Sequence, residues 1–248
     1  MISVITPTEE RPHFLQRVYR MLCQQTHVDW EWLIYDTSLR PWEGACDRRI
    51  RYIHSAAPLS IGEKRNTLIR QGKGKWIVHF DDDDYYSPLY LEKIAEKLLS
   101  HQFFHIHAWY AYHLAGGGLF YWDNQKSSER YVVDPFFEKS VREISCDRQD
   151  YGQMIERGYG FTFAYHKELA ESTPFLDVDF REDEMFYDEV GKKGAKVHSY
   201  ADREGICVKI MHDRNVSRIY PQYRLPPFLN ATILPHFSDY VKRYSYEN

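Results

Sequence analysis

The chain has 248 residues, enough for a full α/β core, and its 43% hydrophobic and 27% charged content excludes a disordered polymer. A net charge of −4 supplies no basic face for nucleic acid, so no nucleic-acid partner is expected. Four scattered cysteines, Cys23, Cys46, Cys146 and Cys207, form no CxxC pair and predict neither a zinc site nor a disulfide framework.

The opening run Met1 to Pro7 is too short for a signal peptide or a transmembrane segment and reads as a first strand, Ile2 to Thr6. The expectation is therefore a cytoplasmic protein, with room for peripheral association with a membrane. Pro12 then opens a helix whose apolar positions are Phe14, Leu15, Val18, Met21 and Leu22. Trp30 to Tyr35 is a second strand ending at Asp36, and Arg51 to His54 a shorter one. Ser60 and Glu63 have capping-box spacing for a helix that runs to Gln71, before Gly72. Trp76 to Phe80 is a third apolar strand and leads directly into Asp81-Asp82-Asp83-Asp84. Ser87-Pro88 is expected to cap the next helix, which continues through Leu99.

Strand and helix alternate over these hundred residues, which predicts a mostly parallel α/β sheet. Ligands bind at the carboxyl ends of such strands. Three polar elements fall there: Thr6-Pro7-Thr8, Asp36 and the aspartate run.

After Phe103 the pattern becomes irregular. Short strands are predicted at Trp109–Tyr112, Leu119–Trp122, Tyr131–Val133, Phe161–Tyr165 and Cys207–Met211, with a helix over Glu184–Lys193 ended by Gly194. The tail after Pro226-Pro227 reads as a loop and a final helix. With no repeat or linker, one domain is expected over 1–248: a nucleotide-binding half (1–102), an acceptor half (103–225) and an extension (226–248). Trp109, Tyr110, Trp122, Tyr159 and Phe161 are aromatic candidates for sugar contact, with core packing as the alternative.

Four adjacent carboxylates repel one another unless donors or a cation compensate, and a divalent ion with oxygen ligands is one natural compensation. A solvated acidic turn is the other reading. Other phosphate signatures are absent: no GxGxxG follows the first strand, and Gly72-Lys-Gly-Lys75 lacks Walker spacing.

Ser3 to Pro12 resembles the opening strand and turn of family 2 glycosyltransferases. Ile61-Gly-Glu-Lys-Arg-Asn66 is similar to their Gly-x-x-x-Arg-Asn helix start, and Trp76 to Pro88 to their DxDD strand end. Glu182-Asp183 resembles the ED motif, and His212-Asp-Arg-Asn-Val-Ser217 the late His-containing strand end. The matches occur in the family's order over nearly the whole chain.

The resemblance implies a GT-A fold: a Rossmann-like, mostly parallel sheet flanked by helices, with a more irregular acceptor-binding half. It implies nucleotide binding by Thr6, Pro7, Thr8, Arg11, Asp36, Arg65, Asp81 and Asp82, with Asp36 accepting an N–H of the base. Asp83 and His212 would ligate Mn²⁺ or Mg²⁺, and Asp183 would be the general base of an inverting transfer. The donor would be a nucleotide-diphosphate sugar, UDP-sugar favoured, and the acceptor a glycan, lipid-linked or protein hydroxyl. Rival readings are a sugar nucleotidyltransferase, disfavoured by the lack of glycines in Thr6–Arg11, a DxDxT phosphatase, disfavoured by Tyr85-Tyr86, and an inactive nucleotide-sugar-binding subunit.

Overall fold

The computed structural model describes residues 1–44, 46–126, 130–133, 142–145, 159–215, 221–237 and 240–241. Cys146 and the Val216-Ser217 end of the last motif lie outside them, as does much of the expected final helix. In chain order the elements begin with β1 (Ile2–Thr8), α1 (Pro12–Cys23), β2 (Trp30–Asp36), β3 (Ile50–His54) and α2 (Ile61–Gln71). They continue with β4 (Trp76–His79), β5 (Tyr85–Tyr86), α3 (Tyr90–Leu98), β6 (Phe103–His113), β7 (Leu119–Asp123), β8 (Arg130–Val133) and β9 (Arg142–Ser145). The last are β10 (Ala164–His166), α4 (Lys167–Ser172), α5 (Glu182–Lys192), β11 (Val197–Ala201), β12 (Cys207–Met211), β13 (Tyr223–Arg224) and α6 (Asn230–Ile233).

The chain forms two compact units that interleave in sequence. The first comprises Met1–Asp82, Pro88–His105 and Gly158–Ser199, and the second Asp83–Ser87, Ile106–Arg157 and Tyr200–Asn248.

In the first unit β3, β2, β1 and β4 run parallel in that order, and β10 joins β4 antiparallel. This is the predicted parallel sheet. β1 and β2 are apolar because both their faces are covered, with Val4, Ile5, Leu33 and Ile34 fully buried. α1 starts with Pro12 at its first turn and buries the predicted Phe14, Leu15, Val18, Met21 and Leu22. Ser60 caps α2, its hydroxyl accepting the Glu63 N–H at 3.2 Å. One core cluster joins Ile5, Leu33, Leu68, Ile77, Phe103, Phe163, Phe175 and Phe186, and each such side chain contributes roughly 1.5–3 kcal/mol by leaving water.

In the second unit β7 pairs antiparallel with the later part of β6, and β12 runs parallel beside that part. β5 pairs with β12 and β13 with β7, both antiparallel, while β8 and β9 pair antiparallel as a separate two-stranded sheet.

Several boundaries differ from expectation. Ser87 does not cap α3; its N–H is spent on the Ile206 carbonyl at 2.8 Å, and α3 begins at Tyr90 with no side-chain cap. The strand expected at Trp109–Tyr112 is the end of an eleven-residue β6, whose buried His105 and His113 interrupt the apolar pattern. Phe161–Tyr165 splits into a 3₁₀ turn over Gly160–Thr162 and the short β10. α5 starts two residues early, at Glu182, and Gly194 ends it at φ +69°.

Candidate functional site

At the carboxyl ends of β1, β2 and β4, short polar side chains tie the strands together. The Thr6 hydroxyl donates to the Phe80 carbonyl at 2.8 Å and accepts the Trp32 indole N–H at 2.9 Å, so this fully buried residue is a latch between strands. Pro7 is half-buried beside it. The Thr8 hydroxyl donates to Asp82 Oδ2 at 2.6 Å, and Arg11 reaches Asp82 Oδ1 at 3.0 Å. Lys64, buried although charged, donates to the Thr37 hydroxyl at 2.6 Å and reaches the Thr8 carbonyl and Glu9, each at 3.3 Å.

Asp36 is buried with both carboxylate oxygens engaged. Oδ1 accepts the Ser38 N–H at 2.8 Å and the Ser38 hydroxyl, and Oδ2 accepts the Tyr52 hydroxyl at 2.7 Å. Burial, then this bond to Asp36, pushes the Tyr52 pKa up to about 12, which keeps it a donor. An ionised carboxylate has lone pairs for about four bonds, so one further donor can be accepted.

Arg65 is buried and ion-paired with Glu182, and its other terminal nitrogen lies 3.6 Å from Asp81. Burial works to lower its pKa, but the charges of Glu182, Asp81 and Asp183 outweigh that and raise it. Burial also raises the pKa of Glu182; Arg65 opposes this, and the nearby Asp183 and Asp81 charges add to it. The guanidinium is thus committed within the protein, which the Arg-Asn motif alone did not reveal.

Asp183 stands in the first turn of α5. Its Oδ1 accepts the Glu184 N–H at 2.8 Å and its Oδ2 the Gly160 N–H at 2.7 Å. The residue before the helix pair, Arg181, takes the left-handed conformation at φ +65°, costly for a side chain of this kind. His79, at the end of β4, is absent from the expected site set. Its Nδ1 lies 2.7 Å from the Gly160 carbonyl and its Nε2 2.8 Å from the Tyr165 hydroxyl.

In the second unit His212 Nε2 lies 3.2 Å from Asp83 Oδ2, and the Asn215 amide 3.4 Å from the same oxygen. Lys209 Nζ pairs with Asp84 at 2.8 Å and stands 3.8 Å from Asp83 Oδ1. Asp84 also accepts the Ile210 N–H at 3.0 Å. This buried carboxylate oxygen and imidazole nitrogen are both atom types that ligate divalent metal ions. Among the described residues no group of three or more His, Cys, Asp or Glu side chains is arranged to hold a metal ion.

The aspartate run therefore differs from both sequence readings. It is not a solvated turn, because Asp82, Asp83 and Asp84 are buried. Nor does repulsion alone require a metal, because each aspartate has its own protein cation or donor: Arg65, Arg11, His212 and Lys209 in turn. Trp109, Trp122 and Phe161 are buried in packing, with the two indoles 5.0 Å apart, whereas Tyr159 is only half-buried.

The fold defined by these strands is the GT-A fold of solved glycosyltransferases. Similar structures include a mannosyltransferase from Pyrobaculum calidifontis in complex with GDP-Man and Mn²⁺ (TM-score 0.59, 14% identity, covering 86% of this chain and 58% of that one). Another is S. aureus TarS 1-349 in complex with UDP-GlcNAc (TM-score 0.57, 15% identity, 85% and 58%). Residues 3–171 match the family described as Glycosyl transferase family 2, and the chain belongs to that family. Relatives include a glycosyl transferase named for colanic acid biosynthesis, WcaA, from Escherichia coli (strain K12), 29% identical over 113 residues, or 42% of this chain and 40% of the relative. EpsJ, an uncharacterized glycosyltransferase of Bacillus subtilis (strain 168), is 25% identical over 200 residues, 75% of this chain and 54% of the relative. The chain thus spans about half the length of these relatives or less. Among the described residues no helix is long and apolar enough to cross a membrane.

Proposed function

We propose that this chain catalyses inverting, metal-dependent transfer of a sugar from a nucleotide-diphosphate donor, preferentially a UDP-sugar, to an acceptor hydroxyl. The observation that carries this reading is Asp183: a carboxylate at the start of α5, in the ED position of the family, with both oxygens oriented by backbone N–H groups. The solved neighbours with UDP-GlcNAc or with GDP-Man and Mn²⁺ support the donor class.

In this reading Asp183 takes the proton of the acceptor hydroxyl while that oxygen attacks the anomeric carbon opposite the departing diphosphate. The transition state is oxocarbenium-like, and a single displacement inverts the anomeric centre. Thr8, Arg11 and Asp82 border the nucleotide, Pro7 and the latched Thr6 shape its edge, and Asp36 offers its remaining acceptor capacity to a base N–H. Asp81 meets the ribose, and Arg65 acts on the nucleotide side by holding Asp81 in place. Asp83 and His212 would hold Mn²⁺ or Mg²⁺, which supplies positive charge to the leaving diphosphate. Acceptor-side residues include the half-buried Tyr159.

The test is turnover of UDP-sugar and GDP-sugar donors by wild-type protein and by Asp183→Asn. A general base contributes about 10²- to 10⁴-fold, so the variant should lose donor turnover by that factor while still binding nucleotide. Equal turnover by both proteins would contradict the assignment of the base. Nucleotide binding without turnover by the wild type would favour a binding subunit.

A further inference from the structure

Resting on Asp183 as the base, we infer that Gly160 and His79 are its positioning residues: a buried histidine holds a glycine whose N–H aims the carboxylate. The hydrogen bonds run in one direction. A carbonyl only accepts, so at 2.7 Å His79 Nδ1 carries the proton and donates to the Gly160 oxygen. The ring is neutral, leaving Nε2 to accept the Tyr165 hydroxyl at 2.8 Å. Burial first, and the charge of Arg65 second, hold the His79 pKa well below its ordinary value, and burial raises that of Tyr165, so both keep these roles at neutral pH. His79 is thereby held at both ring nitrogens, at the end of a strand paired with β1 on one side and β10 on the other.

Gly160 also lies close against the base carboxylate. A Cβ built on it would lie 2.7 Å from Asp183 Cβ and 2.8 Å from Asp183 Oδ2, and its three nearest neighbours are all atoms of that side chain. Its φ is not in the left-handed region, so the glycine is needed for close approach rather than for backbone strain. The 3₁₀ turn over Gly160–Thr162 supplies the needed N–H, and the bond from His79 fixes the turn at its first carbonyl. A misplacement of about 1 Å costs roughly 10²-fold in rate, so this turn is where small changes reach the chemistry.

Gly160→Ala, His79→Leu and His79→Asn are compared with wild type and Asp183→Asn for kcat, donor KM and UDP binding. Gly160→Ala and His79→Leu should each lower kcat by roughly 10²-fold with UDP binding unchanged. His79→Asn should restore most of kcat, because its amide can donate to the Gly160 carbonyl as Nδ1 does. The Gly160→Ala result decides the matter if His79→Leu does not fold, since the atoms nearest the added methyl are those of the base. Wild-type kcat in Gly160→Ala, or His79→Asn no better than His79→Leu, would overturn the inference while an inactive Asp183→Asn left the base in place. Wild-type kcat in Asp183→Asn would remove the base itself, a separate failure.

Discussion

In the first unit Asp81 and Asp82 face guanidinium groups, Arg65 at 3.6 Å and Arg11 at 3.0 Å, and a threonine hydroxyl shares the second. In the second unit Asp83 and Asp84 face an imidazole, an ammonium and a backbone N–H. One peptide bond, Asp82–Asp83, separates the two treatments. Arginine binds carboxylates through a rigid fork and stays charged, whereas a histidine or lysine is a smaller donor that an incoming ion can displace. The comparison teaches that a run of like residues carries no single role: Asp84 is held by a buried ammonium and a backbone N–H, whereas Asp83 faces an imidazole.

The contrast breaks most visibly at Asp84. Asp84→Ala leaves the buried Lys209 ammonium and the Ile210 N–H without that partner, a loss of about 4 kcal/mol in urea unfolding. Asp83→Ala should cost far less stability yet abolish Mn²⁺-dependent nucleotide binding; equal destabilisation by the two would erase the distinction. In the first unit Arg65→Met should cost about 3 kcal/mol, less than Asp84→Ala because Glu182, its pKa already raised, can accept a proton once unpaired. Arg65→Lys should not recover the whole loss, since one ammonium cannot reproduce the fork; full recovery in the same unfolding series would count against that account.

Acid provides a smaller test. The folded-state pKa of His79 is depressed, so its contribution to stability is complete above 6.5 and declines as pH falls below that value. Asp202 in the second unit works in the opposite sense: burial raises its pKa from 3.8 to about 6, and protonation through that range favours the folded state. The thermal midpoint of His79→Asn should therefore fall less steeply than that of the wild type between pH 7 and 5; parallel curves would show that His79 is not the sensor. The smallest effect is expected from Thr8→Val, which removes one hydrogen bond to Asp82 while Arg11 remains, about 1 kcal/mol by denaturant unfolding.

Much of the first unit was legible because its signals are local. The apolar runs of β1, β2 and β4, the Ser60 cap and the spacing of α1 each depend on a few neighbours in sequence. The ordered motifs named the family for the same reason. What could not be read depends on distant partners. Lys209 meets Asp84 across 125 residues and Glu182 meets Arg65 across 117, so the sequence alone shows four bare carboxylates where the fold gives each a partner. His79 reads as an anomaly in an apolar strand until Gly160, 81 residues later, supplies its carbonyl. The Ser87-Pro88 cap failed because β12 claims the neighbourhood of Ser87, a tertiary competition outside any local pattern.

The most direct measurement is the thermal shift produced by UDP, GDP, TDP and CDP, each with and without Mn²⁺, in wild type and in Asp83→Ala. The account predicts a rise with UDP that requires Mn²⁺ in the wild type and is absent from Asp83→Ala. A rise of equal size without Mn²⁺, or no response to any nucleotide at millimolar concentration, would contradict a metal-dependent nucleotide-sugar site built on Asp83.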